Sequence, residues 1–148
     1  MLRSGAEVSE KLQVRGEPSM SLVLTLASLL AFVSFCVHTF VGGRYAARPL
    51  LADTNLPRAT IWLNYFTWHI VTVHLAVYTA VLAAGAAGLV HRDAILLVAI
   101  LAACVSVTSV AVTLKAGISP VRFPASYLLG LTAALSVWGA GTMVPPAG

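Results

Sequence analysis

Charged residues are scarce in this sequence of 148 amino acids: they make up 9% of the chain, against 59% hydrophobic residues. An average soluble domain carries about 25% charged residues, so this chain lacks the polar surface of a soluble fold. Cysteine is rare as well, since only Cys36 and Cys104 are present, both inside apolar stretches. No CxxC or Cys/His spacing occurs, so neither a zinc site nor a disulfide framework is indicated.

Catalytic signatures are also missing from the sequence. There is no paired carboxylate, no GxSxG, no phosphate-binding loop and no HExxH. The net charge of +4 does not indicate nucleic-acid binding, because the basic residues stand singly and form no cluster. We therefore expect a protein without catalytic residues, without a metal site and without a nucleic-acid partner.

Long uncharged runs are what the sequence does contain. Four of them cover residues 18–43, 59–91, 94–114 and 123–148. Each can hold the roughly 20 residues that a helix needs to cross a bilayer core. The pattern predicts an all-α polytopic membrane protein, a four-transmembrane-helix antiparallel bundle within residues 20–143. The expected spans are residues 20–41, 57–89, 94–114 and 124–143, followed by a tail at residues 144–148.

Residues 1–19 carry charges without apolar periodicity. Arg15-Gly16-Glu17 can be encoded by a purine-rich stretch of the ribosome-binding type, a short distance before Met20. This indicates a mis-assigned start, with translation beginning at Met20. If residues 1–19 are translated, we expect them to form a disordered extension.

The basic residues between the spans are distributed unevenly. The first and third connections hold five of them, whereas the second holds Arg92 alone. With a start at Met20, the positive-inside rule predicts a bacterial inner-membrane protein whose first and third connections are cytoplasmic and whose termini lie outside. With residues 1–19 present, the two sides nearly tie. Four arginines are expected to meet lipid headgroups at the interface: Arg44, Arg48, Arg58 and Arg122.

Small residues recur at a spacing of four in the second span and form a matching line in the first, and such residues let helices approach closely in lipid. We expect these two spans to form a tight antiparallel pair through them. The same faces are candidates for self-association, giving a homo-oligomer, or for contact with another membrane protein. The packing residues are Ala27, Ala31, Ser34 and Gly42 in span one, and Ala76, Ala80, Ala84 and Gly88 in span two.

Three histidines, His38, His69 and His74, lie within spans, and ionisable residues inside a bilayer are often functional. His38 and His69 are expected at similar depth and close together. One hypothesis is that His38 and either His69 or His74 ligate haem b. A second is a proton or metal-ion path, although no carboxylate lies in any span. The third, which we favour, is that neutral histidines hydrogen-bond across helices.

The segment from His38 to Leu50 resembles the end of the first span in two bacterial membrane families. These are the copper-resistance D-like proteins and the HemJ-type protoporphyrinogen oxidases, in both of which a histidine precedes a glycine-containing stretch. In the second family that stretch is close to Gly-x-x-Tyr-x-x-Arg-Leu. Gly42, Tyr45 and Arg48 match that stretch, while Pro49 intervenes before Leu50. The resemblance implies a haem-related function. As a whole, the chain looks like the small uncharacterised four-span proteins of bacterial genomes.

The preferred interpretation is a non-catalytic accessory or interaction subunit of the bacterial inner membrane, without a cofactor. The alternative is a haem b-binding redox or haem-metabolism protein that uses the histidines inside the spans. A small transporter-like protein is the third hypothesis.

Overall fold

The computed structural model describes residues 18–143, and all regular secondary structure within that range is helical. The all-α prediction is therefore confirmed for this part of the chain. The predictions for residues 1–17 and for the tail at residues 144–148 fall outside the described residues. The elements are α1 (Pro18–Cys36), a π-helical segment (Val37–Ala47), α2 (Arg48–Ala52), α3 (Arg58–Ala86), α4 (Arg92–Lys115), a 3-10 turn (Pro120–Arg122) and α5 (Pro124–Gly141).

Three of the helical stretches are long and apolar enough to cross a membrane. They are Ser21–Ala52 with 32 residues, Arg58–Ala86 with 29 and Arg92–Lys115 with 24. The fourth predicted span corresponds to α5, which has 18 residues and does not belong to this group.

The first helical stretch continues past the point where the sequence predicted its end. Gly42 and Gly43 were expected to stop span one near residue 41, but the chain stays helical through the π segment and α2 to Ala52. A glycine ends a helix when it takes a positive φ, and neither of these does so. Gly88 and Gly117, with φ of 72° and 70°, have that conformation just after α3 and α4.

Helices α1 and α3 pack antiparallel along most of their length. Ser21 Oγ donates to the carbonyl oxygen of Ala86 at 3.1 Å, and Ser28 Oγ donates to that of Thr79 at 3.1 Å. Residue numbers rise along one helix as they fall along the other, which is the signature of an antiparallel pair. The bonds satisfy two serine hydroxyls across the helix interface.

Helices α4 and α5 form a second antiparallel pair. Ser106 Oγ donates to the carbonyl oxygen of Ser126 at 2.6 Å, while Arg92 Nε donates to that of Ala140 at 3.1 Å. The two pairs are joined mainly through α1 and α5, whose contact is close where Gly139 meets Leu24. In contrast, α3 and α4 touch only sparsely, which leaves an open groove between them.

Small residues on α1 line the core, whereas those on α3 do not. Ala27 and Ala31 are fully buried, but Ala76 and Ala80 are exposed. The α1–α3 pair therefore forms as predicted, with only one of its two expected small-residue faces inside. Large side chains of α3 pack against the small residues of α1. Close approach of the two helices therefore does not need small residues on both of them. The buried residues of α3 are Ile61, Leu75, Tyr78, Leu82 and Gly85.

The two ends of the helical assembly differ in charge. Tyr45 and Phe123 border one cavity, so the connections at residues 53–57 and 116–123 lie at the same end. This end carries five basic residues and one acid, Asp53. The opposite end, at residues 87–91 and the start of α4, carries Arg92 and Asp93. The basic residues at the first end are Arg44, Arg48, Arg58, Lys115 and Arg122.

Candidate functional site

The π segment Val37–Ala47 is the most unusual piece of backbone in the described chain. It runs for 11 residues, whereas π-helices are rare, mostly one turn long, and frequent at functional sites. Its winding extends into α2, since the Arg48 backbone N–H donates to the Gly43 carbonyl oxygen five residues earlier. It lies beside the first half of α3, and the residues on its two sides border two different cavities.

His38 and Trp68 form the contact that fixes the π segment against α3. Their rings stack with centroids 3.9 Å apart and an interplanar angle of 18°. The imidazole Nε2 also donates to the Trp68 carbonyl oxygen at 3.2 Å. Because a carbonyl oxygen only accepts, Nε2 carries the ring hydrogen in this bond. The imidazole is thus held by stacking and by a hydrogen bond to the same residue.

Gly42 allows this contact because it has no side chain. A Cβ added at Gly42 would lie 3.2 Å from Trp68 Cζ2 and closer still to Cη2. At neighbouring Gly43, an added Cβ would meet nothing within 4 Å. The first of the two glycines therefore has a packing role that the second lacks.

An apolar cavity of about 220 Å³ lies on one side of the His38–Trp68 contact. His38, Val41 and Tyr45 border it from the π segment, and all four long helices contribute to its walls. Its lining is almost wholly hydrophobic, apart from the imidazole and the Ser34 and Tyr45 hydroxyls. The remaining wall comes from Trp68, Val71 and Leu75 of α3, Val105 of α4, and the first turns of α5 with Leu128 and Leu129.

A more polar cavity of about 420 Å³ lies on the other side of Trp68, between the π segment, α2 and α3. We call it the basic cavity, because two arginines and no carboxylate line it. Its polar lining residues are Thr39, Arg44, Arg48, Tyr65, His69 and Thr72.

Thr39 has a buried hydroxyl without a partner among the described residues. Several hydroxyls on the α-helical parts of the chain bond the carbonyl four residues earlier, as Ser34 does to Leu30 at 2.9 Å and Thr72 to Trp68 at 3.1 Å. The π winding shifts that carbonyl relative to Thr39. A buried unpaired polar group costs about 1–3 kcal/mol, so the Thr39 hydroxyl has an unmet hydrogen-bonding capacity at a residue that borders the basic cavity.

The three histidines border three different cavities. His38 lines the apolar cavity and His69 the basic cavity, where the His69 ring meets Tyr65 edge-on with centroids 4.5 Å apart. His74 lines the groove between α3 and α4, and its Nδ1 donates to the Ile70 carbonyl oxygen at 2.8 Å. His38 and His69 are thus near each other, but on opposite sides of Trp68.

The predicted interface arginines divide into two groups. All four are exposed at the same end of the molecule, but only Arg44 and Arg48 line the basic cavity. Among residues 18–143, no group of three or more His, Cys, Asp or Glu side chains could hold a metal ion. Sequence reasoning did not bring Trp68, Tyr65 and Thr39 together at one site, because the π winding that directs Thr39 towards α3 has no local signal in the sequence.

Across residues 18–143, the regular structure is all helical, and three of the helices are long and apolar enough to cross a membrane. Comparison of the chain with protein-family models, curated proteins and solved structures gives no match. The functional argument therefore depends on the geometry of this chain alone.

Proposed function

We propose that the chain is a non-catalytic, four-span protein of the bacterial inner membrane, and that it acts as an interaction subunit by self-association. Helix α5 is the fourth span in this proposal. Its 18 residues extend about 27 Å, close to the roughly 30 Å of a bilayer core. Because α5 packs along both α1 and α4, it lies beside them and antiparallel to them, as a fourth span would.

The charge distribution supports an orientation for the four spans. Five basic residues and one acid lie at the end that holds residues 53–57 and 116–123, while Arg92 and Asp93 offset each other at the other end. Positive charge in short connections marks the cytoplasmic side. We therefore place residues 53–57 and 116–123 in the cytoplasm and residues 87–91 outside.

The outward face of α3 is the observation that carries the interaction proposal. Ala76 and Ala80 are exposed on the side away from α1, and Ala84 is half-buried beside them. In lipid, small residues at this spacing let a second helix approach closely, so that van der Waals contact and backbone dipoles drive association. A two-fold axis along the membrane normal would bring two copies of this face together.

His74 is a polar group on a different side of α3, about 160° around the helix from Ala76 and about 120° from Ala80. The imidazole is exposed in the groove between α3 and α4, and its bond to Ile70 uses only Nδ1. Within a bilayer, the other ring nitrogen has no water to bond.

Cysteine crosslinking in membranes tests the self-association. In a background with Cys36 and Cys104 replaced by Ser, Ala80→Cys is expected to form an oxidative dimer. Val107→Cys is the matched control, because Val107 is 69% exposed on α4. Equal crosslinking at both positions, or none at position 80, would contradict self-association through α3.

Haem b binding is the second candidate, and one observation favours it: an imidazole borders the apolar cavity. The arrangement fits a pair of axial histidines poorly, since the three imidazoles line three separate cavities. His38 Nε2 is also engaged by the Trp68 carbonyl. If the chain is an interaction subunit without haem, protein purified from haem-replete cells should show no Soret band. A Soret band that disappears in His38→Ala would favour haem binding instead.

A further inference from the structure

The π winding places polar residues on one face that an α-helix would separate. In an α-helix, residues 39 and 44 would point about 140° apart and residues 39 and 48 about 180° apart. In a π-helix, the hydrogen bond runs to the fifth residue, so residues five apart lie almost one above the other. As a result, Thr39, Arg44 and Arg48 all line the basic cavity.

The charge within this cavity is not balanced by the described residues. Asp53 and Asp93 are the two carboxylates in the described part of the chain, and neither lines the cavity. Asp53 Oδ1 accepts hydrogen bonds from the backbone N–H groups of Asn55 and Leu56, at 2.7 and 3.0 Å. Asp93 lies in the first turn of α4, at the other end of the molecule. An anion would supply the missing negative charge.

The donors around the cavity match the requirements of a phosphate group. Arginine guanidinium groups bind phosphate oxygens through paired N–H donors. The buried Thr39 hydroxyl has no partner in the described chain, and Tyr65 and His69 border the cavity from α3. An anion in this position would have two cationic and several neutral donors around one open cavity.

We propose that the basic cavity binds the phosphate group of an anionic phospholipid. Its position favours this ligand, because the cavity lies at the basic end of the molecule, where the proposed spans meet the headgroup layer. The apolar side chains of Phe40 and Leu51 also border it and can contact the first carbons of the lipid chains. Free phosphate shares the same chemistry, and the experiment distinguishes the two sources.

The test uses the full chain reconstituted in phosphatidylcholine vesicles that contain a small fraction of spin-labelled phosphatidylglycerol. Electron paramagnetic resonance separates protein-bound from bulk lipid, and spin-labelled phosphatidylcholine gives the reference. The double variant Arg44→Gln/Arg48→Gln is expected to lose the preference for the anionic lipid by roughly tenfold per arginine, the loss expected for a direct charge-assisted hydrogen bond. The matched control, Arg58→Gln/Arg122→Gln, removes the same charge from the same end and is expected to keep most of the preference.

A second variant tests the site with both arginines in place, so that neither the charge of the cavity nor any effect of the arginines on folding changes. Thr39→Val keeps the shape of the side chain and removes the hydroxyl, so we expect a loss of roughly threefold in the preference. Equal losses in the two arginine pairs, or no loss in Thr39→Val, would overturn the proposal in favour of diffuse surface attraction.

Inorganic phosphate is added as a competitor. Displacement of the labelled lipid by it would identify the phosphate group alone as the recognised chemistry, whereas no displacement would identify the intact lipid.

Discussion

Gly42 and Trp68 show how one missing side chain determines the local structure. The tryptophan ring lies where a Cβ at position 42 would be, while His38 stacks on the same ring. The ring is therefore held by neighbours and cannot move away without breaking the contact between the π segment and α3. The two cavities on either side of Trp68 depend on this arrangement.

Gly42→Ala should destabilise the protein, because the added methyl overlaps the Trp68 ring. We expect a loss of about 1–3 kcal/mol in the free energy of unfolding, as for other overpacked sites. Gly43→Ala is the neighbouring control, since its Cβ would be free of contacts and alanine favours helix over glycine by up to about 1 kcal/mol. Reversible unfolding in detergent measures both, and equal effects would show that Trp68 is not confined as described.

The sequence identified those site residues that are recognisable by their type alone. It did not identify those whose role depends on the π-helical backbone. His38, Arg44 and Arg48 were singled out by residue type, and all three border the cavities around Trp68. Thr39 was not, because a threonine inside an apolar run normally bonds its own helix. The π winding that leaves its hydroxyl without a partner has no local signal in the sequence.

At the scale of helices, the α1–α3 pair shows why spacing alone does not identify an interface. Both helices carry small residues four apart, but only the line on α1 faces the core. The face of α3 that contacts α1 consists of larger residues, Leu75, Tyr78 and Leu82, which fit against Ala27 and Ala31. Periodicity predicted the pairing of the helices but could not decide which face of α3 turns inward.

Leucine substitutions distinguish the buried small residues of α1 from the exposed small residues of α3. Ala31→Leu adds three carbons to a fully buried position and should lower the free energy of unfolding by about 1–3 kcal/mol. Ala80→Leu changes an exposed position and should leave the unfolding of the monomer in detergent nearly unchanged, while weakening the crosslinked dimer in membranes. A larger loss of monomer stability from Ala80→Leu than from Ala31→Leu would place the α3 line inside the bundle after all.

For the whole molecule, the uncharged runs predicted every long helix, and the connections were predicted to within a few residues except after span one. There, the helix continues from the predicted end near residue 41 to Ala52, because Gly42 and Gly43 are absorbed by the π segment. The clustering of basic residues at one end follows from the alternating direction of the four helices. How each helix rotates about its axis was the part that the sequence could not specify.

The central claim is that four helices cross the membrane, with residues 53–57 and 116–123 on one side and residues 87–91 on the other. Labelling with a membrane-impermeant thiol reagent tests it most directly, using Asn55→Cys, Leu89→Cys and Ile118→Cys singly in a cysteine-free background. The account predicts that intact cells expose only position 89, and that inverted membrane vesicles expose positions 55 and 118. Labelling of positions 55 and 118 from opposite sides would contradict it.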